Sequence, residues 1–187
     1  MSATGPRRYV GVAAVAASLI AGCGSASSLT PTPLASPTPP TCADLGFGGA
    51  FIYTVVQQSM ERTLEPDDNV LVVPGVTPKR PDIVVFNPPG AWVQGGPQTA
   101  FIKRVIGLPG ETVEVKDGAV YVDGTKLAEP YVYDQQPTTT MGATERWVIP
   151  TGDFFVLGDH RESSADSRAF GPIPRTDVLG VVTERCP

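Results

Sequence analysis

Short apolar runs closed by turn residues recur along most of the chain. Asn69-Val70-Leu71-Val72-Val73 and Asp82-Ile83-Val84-Val85-Phe86 are each ended by proline at or just beyond the run and predict buried strands. Thr112-Val113-Glu114-Val115 and Ala119-Val120-Tyr121-Val122 alternate in polarity about Asp117-Gly118, the signature of a tight hairpin, and Asp123-Gly124 marks a second turn. Trp147-Val148-Ile149, Phe154-Phe155-Val156-Leu157 and Val178-Leu179-Gly180-Val181-Val182 complete the set, while Ala50 to Gln58 suits either a short helix or a strand. Asp67-Asp68 reads as a turn entering the next strand. No internal repeat is present. The pattern predicts a mainly β domain of several short strands coiled around one core.

Composition narrows the chemistry. The 187 residues suit one domain with a linker or anchor, and 20 Gly with 20 Pro disfavour long helices. A single His excludes multi-His metal centres, and three Cys cannot supply a four-Cys zinc site. A net charge of −5 argues against a nucleic-acid surface. Neither a metal nor a cofactor is expected.

The N-terminus has a different grammar. Arg7 and Arg8 precede an apolar run from Tyr9 to Ala21, 13 residues long. A membrane-crossing helix needs about 20 apolar residues, so this run fits the hydrophobic region of an export signal. Ile20-Ala21-Gly22-Cys23 resembles the lipobox of bacterial lipoproteins, which implies cleavage after residue 22 and lipid on Cys23. An ordinary secretory signal cut elsewhere, or an uncleaved anchor, is the alternative. Residues 24–41 are rich in Ser, Thr and Pro, with prolines at 31, 33, 37, 39 and 40, and read as an extended tether. The expected organisation is therefore a signal over 1–22, a tether over 23–41 and a folded domain over 42–187. Two cysteines then remain, Cys42 and Cys186, and an oxidising exported setting points to a disulfide between them, the alternative being two free thiols. Removing residues 1–22 takes away two arginines and no acid, leaving 12 basic against 19 acidic residues, a charge of −7.

Four segments carry chemistry. They are Gln57-Gln58-Ser59-Met60-Glu61-Arg62-Thr63-Leu64-Glu65-Pro66-Asp67-Asp68, Arg80-Pro81-Asp82-Ile83-Val84-Val85-Phe86, Phe101-Ile102-Lys103-Arg104-Val105-Ile106-Gly107-Leu108-Pro109-Gly110-Glu111-Thr112-Val113, and Gly158-Asp159-His160-Arg161-Glu162-Ser163-Ser164-Ala165-Asp166-Ser167-Arg168-Ala169-Phe170-Gly171. In this order they resemble the boxes of bacterial type I signal peptidases, Ser-Lys proteases of the S26 family, over about residues 55–182. The implied fold is the coiled β-sheet barrel of short antiparallel strands that these enzymes share with self-cleaving repressors. The implied activity is a serine endopeptidase removing N-terminal signal peptides from exported preproteins after small, Ala-X-Ala-like residues.

The residues agree with that chemistry. A serine hydroxyl needs a base, and with histidine essentially unavailable the candidate is a lysine whose pKa burial has lowered. Lys103 lies in an apolar run, and strand alternation turns Arg104 to the opposite face. By resemblance Ser59 is the nucleophile and Lys103 the general base. Ser164 would hydrogen-bond and orient the lysine, and Asp166 and Arg168 would form a structural ion pair. Met60 would pack beneath the nucleophile and help shape the substrate subsites, while the Ser59 backbone N–H, with Gln57 as a candidate donor, would serve the oxyanion. The implied partners are exported preproteins and the lipid bilayer surface, with no nucleic acid; the oligomeric state is open. The implied location is the bacterial cell membrane, lipid-anchored, with the catalytic domain outside the cytoplasm.

The chain also departs from the family pattern. Arg62 stands where the family has Pro, Gln57 where it often has Ser, Thr or Gly, and His160 where it usually has Asn; His160 is read as structural. Arg62 and Gln57 are the features that favour a rival reading, a catalytically silent lipoprotein that binds signal peptides. A specialised processing peptidase of the same fold is the other.

Overall fold

The computed structural model describes residues 41–43, 47–90, 100–141 and 145–187. Cys23, the signal and all of the tether before Thr41 lie outside the described residues. Those described belong to one compact unit, Thr38–Pro187, and none of their helices is long and apolar enough to cross a membrane.

The strands are β1 (Phe51–Thr54), β2 (Asn69–Val73), β3 (Ile83–Phe86), β4 (Phe101–Gly107), β5 (Thr112–Lys116), β6 (Ala119–Val122), β7 (Thr125–Lys126), β8 (Arg146–Val148), β9 (Asp153–Leu157), β10 (Ile173–Pro174) and β11 (Val178–Cys186). The one described α-helix, α1 (Ser167–Phe170), is a single turn. A seven-stranded sheet runs β1-β2-β11-β3-β4-β9-β10 and a four-stranded sheet runs β7-β6-β5-β8; every pairing is antiparallel. The protein is mainly β.

Most strand expectations hold, with boundaries shifted by a residue or two. The β5–β6 hairpin turns on Asp117 and Gly118, both at positive φ (51° and 71°), the backbone that a two-residue turn demands. The Ala50–Gln58 ambiguity resolves into strand β1 followed by a 3-10 turn over Gln58–Met60. Strand β11 runs four residues beyond the expected end at Val182. Its extension, Thr183-Glu184-Arg185-Cys186, has its first three residues exposed, so it carries no apolar signal; pairing with β2 makes it a strand.

Among the described residues the apolar side chains form three clusters rather than one core. The large sheet is covered on both faces. Val70, Val72, Val85 and Ile102 pack on one side, and Val84, Phe86, Val105 and Val181 on the other, as the two-residue strand period requires. The small sheet presents Val113, Val115, Val120 and Val122 to Ile106, Phe155 and Leu157. Gly107 sits at this junction because a Cβ there would lie 2.6 Å from Val113 Cγ2. Cys42 and Cys186 are joined by a disulfide that ties the chain before β1 to the end of β11. Closing a loop of 144 residues removes roughly 5 kcal/mol of unfolded-chain entropy in the chain-entropy account.

Candidate active site

The excursion between β1 and β2 carries Ser59. Its base is closed by Val55 N–H donating to Asp68 O and Asp67 N–H donating to Val55 O, both 2.8 Å. The side chains of Val55, Met60 and Leu64 are buried in the cluster that includes Val70, Val72, Val85 and Ile102. They pull the intervening 3-10 turn onto the sheet and leave Ser59 only 1% exposed.

Strand β4 brings the lysine. It pairs with β3 from Phe101 to Arg104, but with β9 only from Arg104 to Gly107. The stretch of β4 around Lys103 is thus left by β9, and the Ser59 turn packs there instead. Lys103 Nζ donates to Ser59 Oγ at 2.7 Å and to the Ile102 carbonyl at 2.8 Å. The side chain is 1% exposed. Burial lowers its pKa from 10.5 to about 8, against the carboxylates of Asp166 and Asp159, which raise it. A hydroxyl 2.7 Å from an amine whose pKa burial has lowered to about 8 can pass its proton to that amine in its neutral form.

Arg104, the next residue, faces away. Its Nε and Nη2 bond Asp159 at 2.8 and 2.6 Å, its Nη1 bonds the Pro81 carbonyl, and its guanidinium lies 4.2 Å from the Tyr131 ring centroid. The strand period therefore separates the two cations: one is paired to a carboxylate, the other desolvated beside a hydroxyl.

The fourth segment wraps the back of the site. Asp166 is fully buried; it pairs with Arg168 Nε at 2.8 Å, caps α1, and accepts from Gly158 N–H at 3.1 Å. Arg168 Nη2 donates to the Arg161 carbonyl at 2.6 Å. The Ser164 hydroxyl, expected to bond Lys103, donates to Asp166 Oδ2 at 2.7 Å, and the hydrogen bonds of Lys103 Nζ go to Ser59 and Ile102. Asp166, an ionised acceptor two residues away, takes the one proton the hydroxyl can donate. Met60 is wholly buried, in the cluster with Val55, Leu64 and Ile102. Gln57 precedes the turn in extended conformation and is exposed, and its side chain makes no capping bond to the turn.

Several residues of this architecture had no assigned role in the sequence. Gly158 touches the backbone of Ser59 so closely that no side chain fits. Asp159 is fully buried as the partner of Arg104. Arg161, 2% exposed, bonds Glu129 and the Gly158 carbonyl. These partners lie 32 and 55 residues apart along the chain in the two ion pairs, a separation that no local pattern reports. Among the described residues no group of three or more His, Cys, Asp or Glu is placed to hold a metal ion.

Residues 47–186 match the family model described as signal peptidase, peptidase S26. The chain is 42% identical over 133 residues to a signal peptidase I of Leptolyngbya laminosa, covering 67% of this chain and 63% of that one. It is 36% identical over 146 residues to signal peptidase I V of Bacillus subtilis, covering 71% and 83%. With signal peptidase IB of Staphylococcus aureus it shares 35% over 158 residues, covering 73% and 79%. A crystal structure of a signal peptidase I from Enterococcus faecalis, 36% identical, covers 58% of this chain and 98% of that one with a TM-score of 0.46. The matched region spans about three fifths of the Leptolyngbya protein and of two Synechocystis relatives (63%, 65% and 58%).

Proposed function

The chain belongs to the signal peptidase family, peptidase S26, and from that premise we propose that it is a serine endopeptidase that removes N-terminal signal peptides from exported preproteins. The observation that carries the reading is the 2.7 Å bond between Lys103 Nζ and Ser59 Oγ inside a desolvated site.

In the proposed cycle neutral Lys103 accepts the Ser59 proton as Oγ attacks the scissile carbonyl. The backbone N–H of Ser59 serves the oxyanion, where one donor contributes roughly 3 kcal/mol of barrier lowering. Lys103 returns the proton to the leaving amine as the C–N bond breaks, giving an acyl-enzyme and the mature amino terminus. Water, deprotonated by Lys103, then attacks the ester; the carboxylate product leaves and Ser59 recovers its proton. Ser164 acts at one remove, holding Asp166 and through it the segment behind the lysine. Asp166 and Arg168 are structural, and Met60 supports the nucleophile from below. Substrates carry small Ala-X-Ala-like residues before the cut.

In the same reading Cys23 bears lipid and the Pro-rich segment tethers the domain to the outer face of the cell membrane, beside its substrates. A synthetic peptide spanning an Ala-X-Ala signal cleavage site tests the activity, with the products and the membrane-extracted protein both weighed by mass spectrometry. Expected are a single cut after the second Ala and a chain beginning at lipid-modified Cys23. No cut, together with no acylation of Ser59 by a serine-reactive acylating peptide, would favour the silent signal-peptide-binding lipoprotein.

The pH dependence follows from the lysine. Only its neutral form accepts the serine proton, so kcat/KM should rise about tenfold per pH unit below the Lys103 pKa of about 8 and level off above it. A rate that does not fall as pH drops below about 8 would contradict Lys103 as the base.

A further inference from the structure

The turn that carries Ser59 is held from outside itself. Arg62 adopts φ 77°, in the left-handed region that a proline ring, fixed near −65°, cannot enter. The turn's shape is therefore set by contacts, not by a ring. His160 N–H donates to the Ser59 carbonyl at 3.1 Å. The His160 side chain places Nδ1 2.7 Å from Glu61 Oε2. Its ring stacks on Tyr133, with centroids 4.3 Å apart and planes 19° from parallel, and Nε2 lies 3.3 Å from Ser163 Oγ. Tyr133 N–H bonds the Asp159 carbonyl at 2.9 Å, and Arg62 Nη1 donates to the Val132 carbonyl at 3.1 Å. The Glu61 and His160 side chains are 16% and 14% exposed, shielded enough for the bond to fix geometry.

We infer that His160 is a positioning residue: through the Ser59 carbonyl and the Glu61 carboxylate it fixes the rotation of the nucleophile turn, and so the line from Ser59 Oγ to Lys103 Nζ. This rests on the Ser-Lys reading above. Burial of Met60 and Leu64 seats the turn on the sheet, and a single tie to the Ser59 carbonyl would still leave it to pivot about that seat. The second tie, two residues further on, stops the pivot, and Tyr133 with Arg62 holds the imidazole side of the clamp. Neighbouring charges are already engaged, Asp159 by Arg104, Arg161 by Glu129 and Arg62 by the Val132 carbonyl, while Glu162 is exposed.

The experiment is a double-mutant cycle on kcat and KM with Glu61→Ala, His160→Ala and both together, plus Glu61→Gln, which keeps an acceptor for Nδ1–H. Each Ala variant should lower kcat about tenfold with KM held within about twofold, because misalignment affects only the reacting atoms. The double variant should be no worse than either single, Glu61→Gln should restore most of kcat, and the acid limb should keep its midpoint in all of them. Unchanged kcat in the Ala variants, additive losses, or loss in Glu61→Gln equal to that in Glu61→Ala would each overturn the assignment. Ser59→Ala and Lys103→Ala run alongside. Activity surviving in either refutes the Ser-Lys reading itself, whereas two dead dyad variants beside fully active clamp variants refute only the clamp.

Discussion

Under the proposed Ser-Lys mechanism, replacing Lys103 with alanine is expected to lower signal-peptide cleavage by about four orders of magnitude or more, and Ser59→Ala by a similar factor, since a nucleophile and its base would act as one unit. The structural ground is that, among the described residues, Lys103 Nζ donates to two acceptors, Ser59 Oγ and the Ile102 carbonyl, and that Ser59 and Lys103 are both buried. No other described side chain donates or accepts at Ser59 Oγ, so nothing stands ready to replace the lysine. Lys103→Met separates chemistry from stability. The native lysine titrates near 8 and the unfolded one near 10.5, so below pH 8 both are charged and the native state bears the full desolvation cost. Methionine avoids that cost, on the order of 3 kcal/mol from the shift, less what the lost bond to Ser59 contributed. Between pH 8 and 10.5 the unfolded wild-type chain binds more protons than the native one, wild-type stability rises with pH, and the advantage of methionine should fade. Denaturant midpoints at about pH 6.5 and about pH 10 read this directly. A Met variant no more stable than wild type at the lower pH, or a gap that does not narrow at the higher one, would contradict the buried-lysine account.

Gly158→Ala should be nearly as damaging although it adds one methyl group. The added Cβ would lie 2.5 Å from the Ser59 carbonyl oxygen and from Ser164 Cβ, and would collide with Ser164 Oγ. The backbone cannot move aside, because Gly158 N–H is held by Asp166 Oδ2 and its carbonyl accepts from Arg161 Nε at 3.0 Å. The clash must instead be relieved by shifting Ser59, whose carbonyl is in contact. Overpacking of this kind costs about 1–3 kcal/mol, and displacing the nucleophile by even about 1 Å costs about a hundredfold in rate. Thermal unfolding and kcat measured on the same preparation test both halves. Full activity in Gly158→Ala would mean that the Ser59 carbonyl does not sit against this glycine during catalysis.

The strands and the site differ in how much of them could be read along the chain. Val70, Val72, Val84, Val85 and Phe86 announce buried strands because burial selects residues locally, one position at a time. Asp117-Gly118 announces its turn for a similar reason, since its backbone conformation is a property of two adjacent residues. The strand period alone places Lys103 and Arg104 on opposite faces. It does not reach the end of β11, because Glu184 and Arg185 are exposed and only the edge of β2 makes them a strand. The family boxes brought Ser164 and Lys103 together as expected partners in chemistry, yet where a hydroxyl sends its proton depends on the acceptor the fold sets beside it, here Asp166 Oδ2 at 2.7 Å.

The pattern of short apolar runs and turns thus determined, without help, a mainly β domain, its hairpins, and a lysine bound for burial. Which groups meet was decided by the tertiary structure alone. Ser59 and Lys103 are 44 residues apart, Arg104 and Asp159 are 55 apart, and Glu61 and His160 are 99 apart. Local patterns record what each residue needs from its surroundings; the partner is chosen only when the sheet closes and β9 ends short beside Lys103, leaving the place that the Ser59 turn fills.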